Sequence, residues 1–237
     1  MNTWSDQPVC AFDLETTGPD PLSARIVTAC VAMLSPAPRT GPAASVPAPD
    51  SVRTWLVDPG IPIPAGATAV HGVSTEAARA GGAEYRSGYT EIRDVLQQAW
   101  EAGAVVVAFN ASFDLTLMDA EGRRQGFPPL APALVADPYV IDREMDRYRK
   151  GKRTLGDVCR HYGVRLDNSH EARADAVAAA HLLTALVHKY PDLRTLDIVA
   201  EQTRWHAERQ RSFAEYLVRV GRDAADVNGE WPIRRAA

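Results

Sequence analysis

Residues 104–114 read AVVVAFNASFD, six apolar residues followed at once by a polar stretch. An unbroken apolar run, without hydrophobic–polar alternation, suits a strand covered on both faces, the environment of a parallel sheet. Ser112 is placed to cap a helix over Ser112–Glu121. That puts Asp114 in the first turn, where the helix dipole and unpaired N–H groups favour an anion. The segment therefore predicts a buried strand that ends in a carboxylate at a helix start.

Working outward, Pro8–Leu14 and Arg25–Leu34 (RIVTACVAML) are short apolar runs rich in β-formers, and Val52–Val57 resumes the pattern. They predict a β-meander that opens the fold. Between the second and third, Ser35–Asp50 carries Pro36, Pro38, Pro42, Pro47 and Pro49, which predicts a mobile loop. Helices are expected over Thr75–Ala80 and over Tyr89–Ala102, the latter with Ile92, Val95, Leu96 and Ala99 at helical spacing and Gly103 as its stop. Leu134–Ala136 reads as a short strand before Asp137-Pro138, and Thr154–Tyr162 and Glu171–Tyr190 read as further helices. Strands first, then alternating β and α, predict an α/β fold with a mixed sheet flanked by helices. Past Pro191 the chain turns helix-prone and arginine-rich, with Val199, Trp205, Phe213, Leu217 and Val220 as apolar anchors. We expect a main domain over residues 1–190 and a helical appendage over 191–237, serving as a partner-docking element, a dimer contact or packing.

Composition bounds the chemistry. Of 237 residues, 46% are hydrophobic and 24% charged, an ordinary globular balance that argues against global disorder. The net charge of −4 is an unusual sign for a protein that binds a polyanion, so such a partner requires local basic patches. Arg143, Arg147, Arg149, Lys150, Lys152 and Arg153 form one candidate patch, although Asp142, Glu144 and Asp146 are interleaved with it. Three widely spaced cysteines, without a paired framework, point to a reducing, cytoplasmic setting. No apolar run approaches the ~18 residues of a membrane span.

Three acidic clusters stand out. In FDLETTG (12–18), the period of two on a strand sends Asp13 and Glu15 to one face, about 7 Å apart, and Phe12 and Leu14 to the other. Two carboxylates at the end of a buried strand repel and lose solvation unless a cation neutralises them. FNASFD (109–114) supplies Asp114. HEARADA (170–176) supplies His170, expected at or just inside a helix start capped by Asn168 and Glu171. It also supplies Asp175, which heads the inward row Ala179, Leu182 and Leu186. Each cluster alone also admits a structural role, as a solvated strand end, a helix-start carboxylate or a capping pair.

In order and separation, FDLETTG, FNASFD and HEARADA resemble the motifs of the DEDDh exonuclease family. That family includes the epsilon proofreading subunit of bacterial DNA polymerase III, ribonuclease T and oligoribonuclease. The stretch PGIPIPAGATAVHGVSTE is also similar, and the resemblance covers roughly residues 8–190. It implies a ribonuclease H-like fold with a mixed five-stranded sheet. Asp13, Glu15, Asp114 and Asp175 are then the ligands of two Mg²⁺ or Mn²⁺ ions, and His170 is the general base of 3′→5′ hydrolysis. Leu14, Thr16, Thr17, Asn110 and Phe113 are then contacts to the terminal nucleotide. The implied substrate is a single-stranded 3′ end, DNA ahead of RNA, in repair or proofreading. RNA trimming is the alternative, and a catalytically silent nucleic-acid-binding module is the second. A homodimer and association with a polymerase stay open.

Overall fold

The computed structural model describes residues 3–36, 48–166 and 170–235. Most of the proline-rich loop, and the expected cap Asn168, lie outside them. Five strands form one sheet in the order β3-β2-β1-β4-β5: β1 (Val9–Thr16), β2 (Ile26–Leu34), β3 (Ser51–Leu56), β4 (Val105–Val107) and β5 (Val135–Ala136). The first three make the antiparallel meander, with Asp13 opposite Cys30, and β4 and β5 continue on the other side of β1 in parallel. This is the mixed sheet that the sequence order predicts, with the five strands that the family resemblance implies.

Eight α-helices accompany it among the described residues: α1 (Ala65–His71), α2 (Thr75–Gly81), α3 (Tyr85–Glu101), α4 (Ala111–Arg124), α5 (Pro138–Met145), α6 (Leu155–Tyr162), α7 (Ala172–Lys189) and α8 (Ile198–Arg219). The two faces of β1 pack differently. Cys10, Phe12 and Leu14 enter the large core with Ile92 and Leu96 of α3 and Leu115 and Met118 of α4. On the opposite face Ala11, Cys30 and Ala32 meet Ala172, Ala176 and Ala180 of α7. This alanine stripe lets α7 lie close against β1 and β2.

Several local expectations are corrected. The apolar run at 104–109 gives a strand of only three residues, because Asn110 takes a left-handed conformation (φ 66°) and turns the chain into α4. Helix α3 starts four residues early, since Glu84 accepts hydrogen bonds from the amides of Arg86 and Ser87 at 3.0 and 2.8 Å. Helices α1 and α5 were not predicted. The first buries none of its residues, so it lacks the apolar period that marks a helix. The second had its signal in Asp137-Pro138: Asp137 caps the amide of Tyr139 at 2.9 Å, and proline takes the first helical position.

The segment after Pro191 packs on the rest of the chain. Helix α8 lies against α5 and β5. Trp231 and Ile233 join the main core. Beyond them the amide of Arg234 donates to Thr116 Oγ1 at 2.9 Å, and its Nε donates to Ser112 Oγ at 3.3 Å.

Candidate active site

The strand period puts Asp13 and Glu15 on the α7 side of β1, both half-buried, while Phe12 and Leu14 are buried on the other side. Helix α4 brings Asp114, 4% exposed, to the same place. Its Oδ1 accepts the amide of Leu14 at 3.2 Å, which ties the start of α4 to β1 between the two strand acids. Helix α7 brings Asp175. One of its oxygens accepts the amide of His170 at 3.2 Å, and the other, Oδ1, is buried without a partner. Ligand atoms of Glu15, His170 and Asp175 lie within 4.8 Å of one another.

The electrostatics follow from this crowding. Burial raises the Asp13 pKa well above the usual carboxylate range, and the charges of Asp114, Asp175 and Glu15 raise it further. Glu15 is pushed up to about 7, chiefly by burial and then by Asp175. Asp114 is raised by burial, against the lowering effect of its own amide and that of Leu14. Burial also raises Asp175, with the amide and charge of His170 acting in the opposite sense. Four acids that cannot all ionise cheaply, one with an orphaned buried oxygen, form a donor set suited to a hard divalent cation. The donors are carboxylate oxygens with one imidazole, and no cysteine belongs to the cluster among the described residues, unlike a structural zinc site.

The site differs in detail from the sequence reading. His170 lies outside α7, which begins at Ala172, and is exposed with φ 71°. A non-glycine residue in this region is strained by roughly 1–3 kcal/mol, and the bond from its amide to Asp175 helps hold it there. Glu171 is the N-cap residue itself and makes no side-chain cap, rather than lying inside the first turn as expected; its expected partner Asn168 lies outside the described residues. Ser112 does not cap α4. The N-cap position belongs to Asn110, and Asp137 does the work from outside, accepting the amides of Asn110 and Ala111 at 2.9 Å each. Thr16 donates its hydroxyl to Gly18 O at 2.8 Å, and Thr17 Oγ1 accepts the amide of Arg25 at 3.0 Å, so both hydroxyls are engaged in the β1–β2 turn. Leu14 is buried, and Phe113 is half-buried against the main core.

The basic stretch is corrected most. Arg149 and Arg153 converge on the fully buried Asp142, at 2.7 and 2.8 Å, and Arg153 also donates to the carbonyls of Asp146 and Arg149. Arg147 pairs with Glu144 at 2.5 Å. Three of the six cations therefore serve the α5–α6 connection, while Lys150 and Lys152 stay exposed. Asp137 is the residue that the sequence reading missed. It is fully buried, its pKa is pushed up to about 6 by burial against its amide donors, and it orients the α4 start that carries Asp114. Its own amide donates to Gln202 Oε1 of α8 at 2.7 Å, and Gln202 Nε2 donates to Val135 O at 3.0 Å.

Comparison with known proteins agrees with this geometry. The exonuclease family model RNase_T matches residues 10–183, well over half of the chain and all four carboxylates with His170. Curated relatives include the PolC-type DNA polymerase III of Staphylococcus aureus, 32% identical over 109 residues. That match takes in 45% of this chain but only 8% of the polymerase. Among solved structures, E. coli exonuclease I in complex with a dT13 oligonucleotide superposes with a TM-score of 0.64 at 17% identity, over 79% of this chain and 42% of that one. The zinc-bound form of the same exonuclease with single-stranded DNA gives 0.65 at 17% identity, over 88% and 45%. The chain thus spans less than half the length of these relatives, and at such identities the structures show a shared fold, the ribonuclease H-like sheet with its helices. Sheet, motif order and family match lead to one conclusion: the chain belongs to the RNase_T family of exonucleases.

Proposed function

We propose that the protein removes nucleotides one at a time from the 3′ end of single-stranded DNA, using two Mg²⁺ or Mn²⁺ ions held by Asp13, Glu15, Asp114 and Asp175. The observation that carries this reading is the convergence of four acids from β1, α4 and α7 with raised pKa values and an unpartnered buried oxygen on Asp175. Divalent cations at such a cluster supply charge stabilisation for the phosphodiester undergoing displacement. His170, at the exposed mouth, takes the proton of the attacking water, a role worth roughly 10²–10⁴-fold in rate. Its backbone bond to Asp175 holds the residue at the edge of the acidic cluster. The Asp114–Leu14 bond keeps the strand acids and the helix acid in register. The DNA preference is supported by the DNA polymerase and the exonuclease–DNA complexes among the relatives.

The test is degradation of a 5′-labelled single-stranded DNA oligomer and of its RNA counterpart, each with Mg²⁺, Mn²⁺ or chelator. Wild type and His170→Ala are compared. A metal-dependent ladder that shortens from the 3′ end and is lost in the variant is expected, faster on DNA. Faster trimming of RNA would move the substrate to RNA. Folded wild-type protein that shortens neither strand with metal present would overturn the proposal and favour a silent binding module.

A further inference from the structure

A cavity of about 390 Å³ opens between α5 and α8, and none of the four clustered carboxylates lines it. Its walls combine aromatic and cationic groups: Tyr139, Trp205 and Phe213 with Arg143 and Arg209. The Arg143 guanidinium lies 4.9 Å from the centre of the Tyr139 ring, and its Nε is shut from solvent without a hydrogen-bond partner. Two carboxylates also face the cavity, but both are already matched, Glu144 by Arg147 at 2.5 Å and Glu208 by Arg204 at 2.9 Å. No ion pair to Arg143 or Arg209 occurs among the described residues. His206, 6% exposed, adds a second orphaned polar atom, its buried Nε2.

The local field agrees with an excess of positive charge. Burial and the charge of Arg143 depress the Arg209 pKa. Burial, with Arg234 and Arg209, pushes the His206 imidazole down to about 4, so it is neutral at pH 7. Cations held together in a partly desolvated site without an anion are costly, and a bound anion removes that cost. Guanidinium groups match phosphate in a forked geometry, and aromatic side chains accept the face of any base. The volume lies in the range that encloses a small organic ligand.

We propose that this cavity is a nucleotide-binding site, with the phosphate on Arg143 and Arg209 and the base against Tyr139 and Phe213. The inference rests on the exonuclease reading for its source of nucleotides, which is either an internal nucleotide of the strand being trimmed or the released nucleoside monophosphate. Tyr139 connects the two regions. It stands edge-on to Phe109 at 5.4 Å and two residues from Asp137, which caps the helix that carries Asp114.

Binding is measured in chelator, so that hydrolysis plays no part. The probes are thymidine 5′-monophosphate, thymidine, and labelled oligothymidylates of increasing length. The proteins are wild type, Arg209→Gln, Arg143→Gln and the charge-retaining Arg143→Lys. Arg209 stands at the rim of the cavity and makes no ion pair among the described residues, so its variant keeps the fold even where Arg143→Gln does not. Each glutamine variant is expected to weaken phosphate-bearing ligands by about tenfold or more and to flatten the salt dependence, with Arg143→Lys intermediate. Thymidine should bind far more weakly than its monophosphate. A step in affinity beyond a threshold oligomer length, absent in the variants, would identify the strand as the ligand. Saturable monophosphate binding without such a step would identify the product. Equal affinities of Arg209→Gln and wild type for every probe would overturn the proposal. Failure of wild type to shorten a strand with Mg²⁺ would instead count against the exonuclease reading and leave these binding results interpretable.

Discussion

Replacing Glu15 by glutamine should make the metal-free protein more stable while abolishing its activity. Glu15 has a pKa of about 7 in the fold against 4.5 for the free side chain. A raised folded value means that its contribution to stability is full below pH 4.5 and is lost as the pH rises through 7. At about 1.4 kcal/mol per pH unit, the interval from 4.5 to about 7 amounts to about 3 kcal/mol. Solvent screening of this half-buried side chain reduces that to about 2 kcal/mol. For a chain of this size the gain corresponds to roughly 4–8 °C in Tm. Thermal unfolding in chelator should therefore show Glu15→Gln melting above wild type at pH 8, with the gap closing to roughly 1–2 °C at pH 5. Added Mg²⁺ at pH 8 should reverse the order, because binding to the native state stabilises wild type by about 2.7 kcal/mol at a hundredfold excess over Kd. A variant that melts at or below wild type at pH 8 in chelator would refute the reasoning, as would a gap that does not change with pH. Either result would mean that Glu15 is well solvated.

Further outcomes follow from the surroundings of the site. Gln202→Ala strips partners from the Asp137 amide and the Val135 carbonyl, so a loss on the order of 3 kcal/mol in denaturant unfolding is expected, with a fall in kcat through the α4 start. An unchanged unfolding midpoint would show that these groups find other partners. Asp142→Ala leaves two guanidinium groups without their buried counter-charge and should cost roughly 3–5 kcal/mol, whereas Arg149→Gln should leave oligonucleotide affinity within about twofold of wild type. A large affinity loss in Arg149→Gln would restore that residue to the nucleic-acid path. His206 has a pKa of about 4 in the fold against 6.5 when free, so its contribution is present above pH 6.5 and lost as the pH falls toward 4. Replacing it with phenylalanine should flatten the Tm profile over that window. Identical slopes in variant and wild type would contradict a buried, neutral imidazole.

Much of the acidic cluster was legible because it depends on short-range geometry. The period of two that sends Asp13 and Glu15 to one face, and the helical period that turns Asp175 inward past an alanine stripe, need no knowledge of tertiary structure. Asp114 followed from the strand-to-helix switch. What stayed hidden depends on residues far apart in sequence. Asp137 stands 27 positions from Asn110, whose amide it caps, and 65 from Gln202, which accepts its own amide. No local pattern marks such a contact. Arg149 and Arg153 look like a solvated basic run until the fold buries Asp142 beneath them. The strand at 104–109 was overestimated because apolarity continues through Ala108 and Phe109 after the ladder has ended, and backbone pairing leaves no trace in side-chain character there.

The polar ties from Gln202 to Asp137, and from Arg234 to Ser112 and Thr116, have an evolutionary consequence. The family match ends at residue 183, yet these later residues brace the same helix that bears Asp114. A tail bonded in this way cannot be exchanged with a relative's as a module, since the graft would arrive without the acceptor and donors that α4 and Asp137 now use. Divergence of the tail is constrained by the site from which it is remote in sequence.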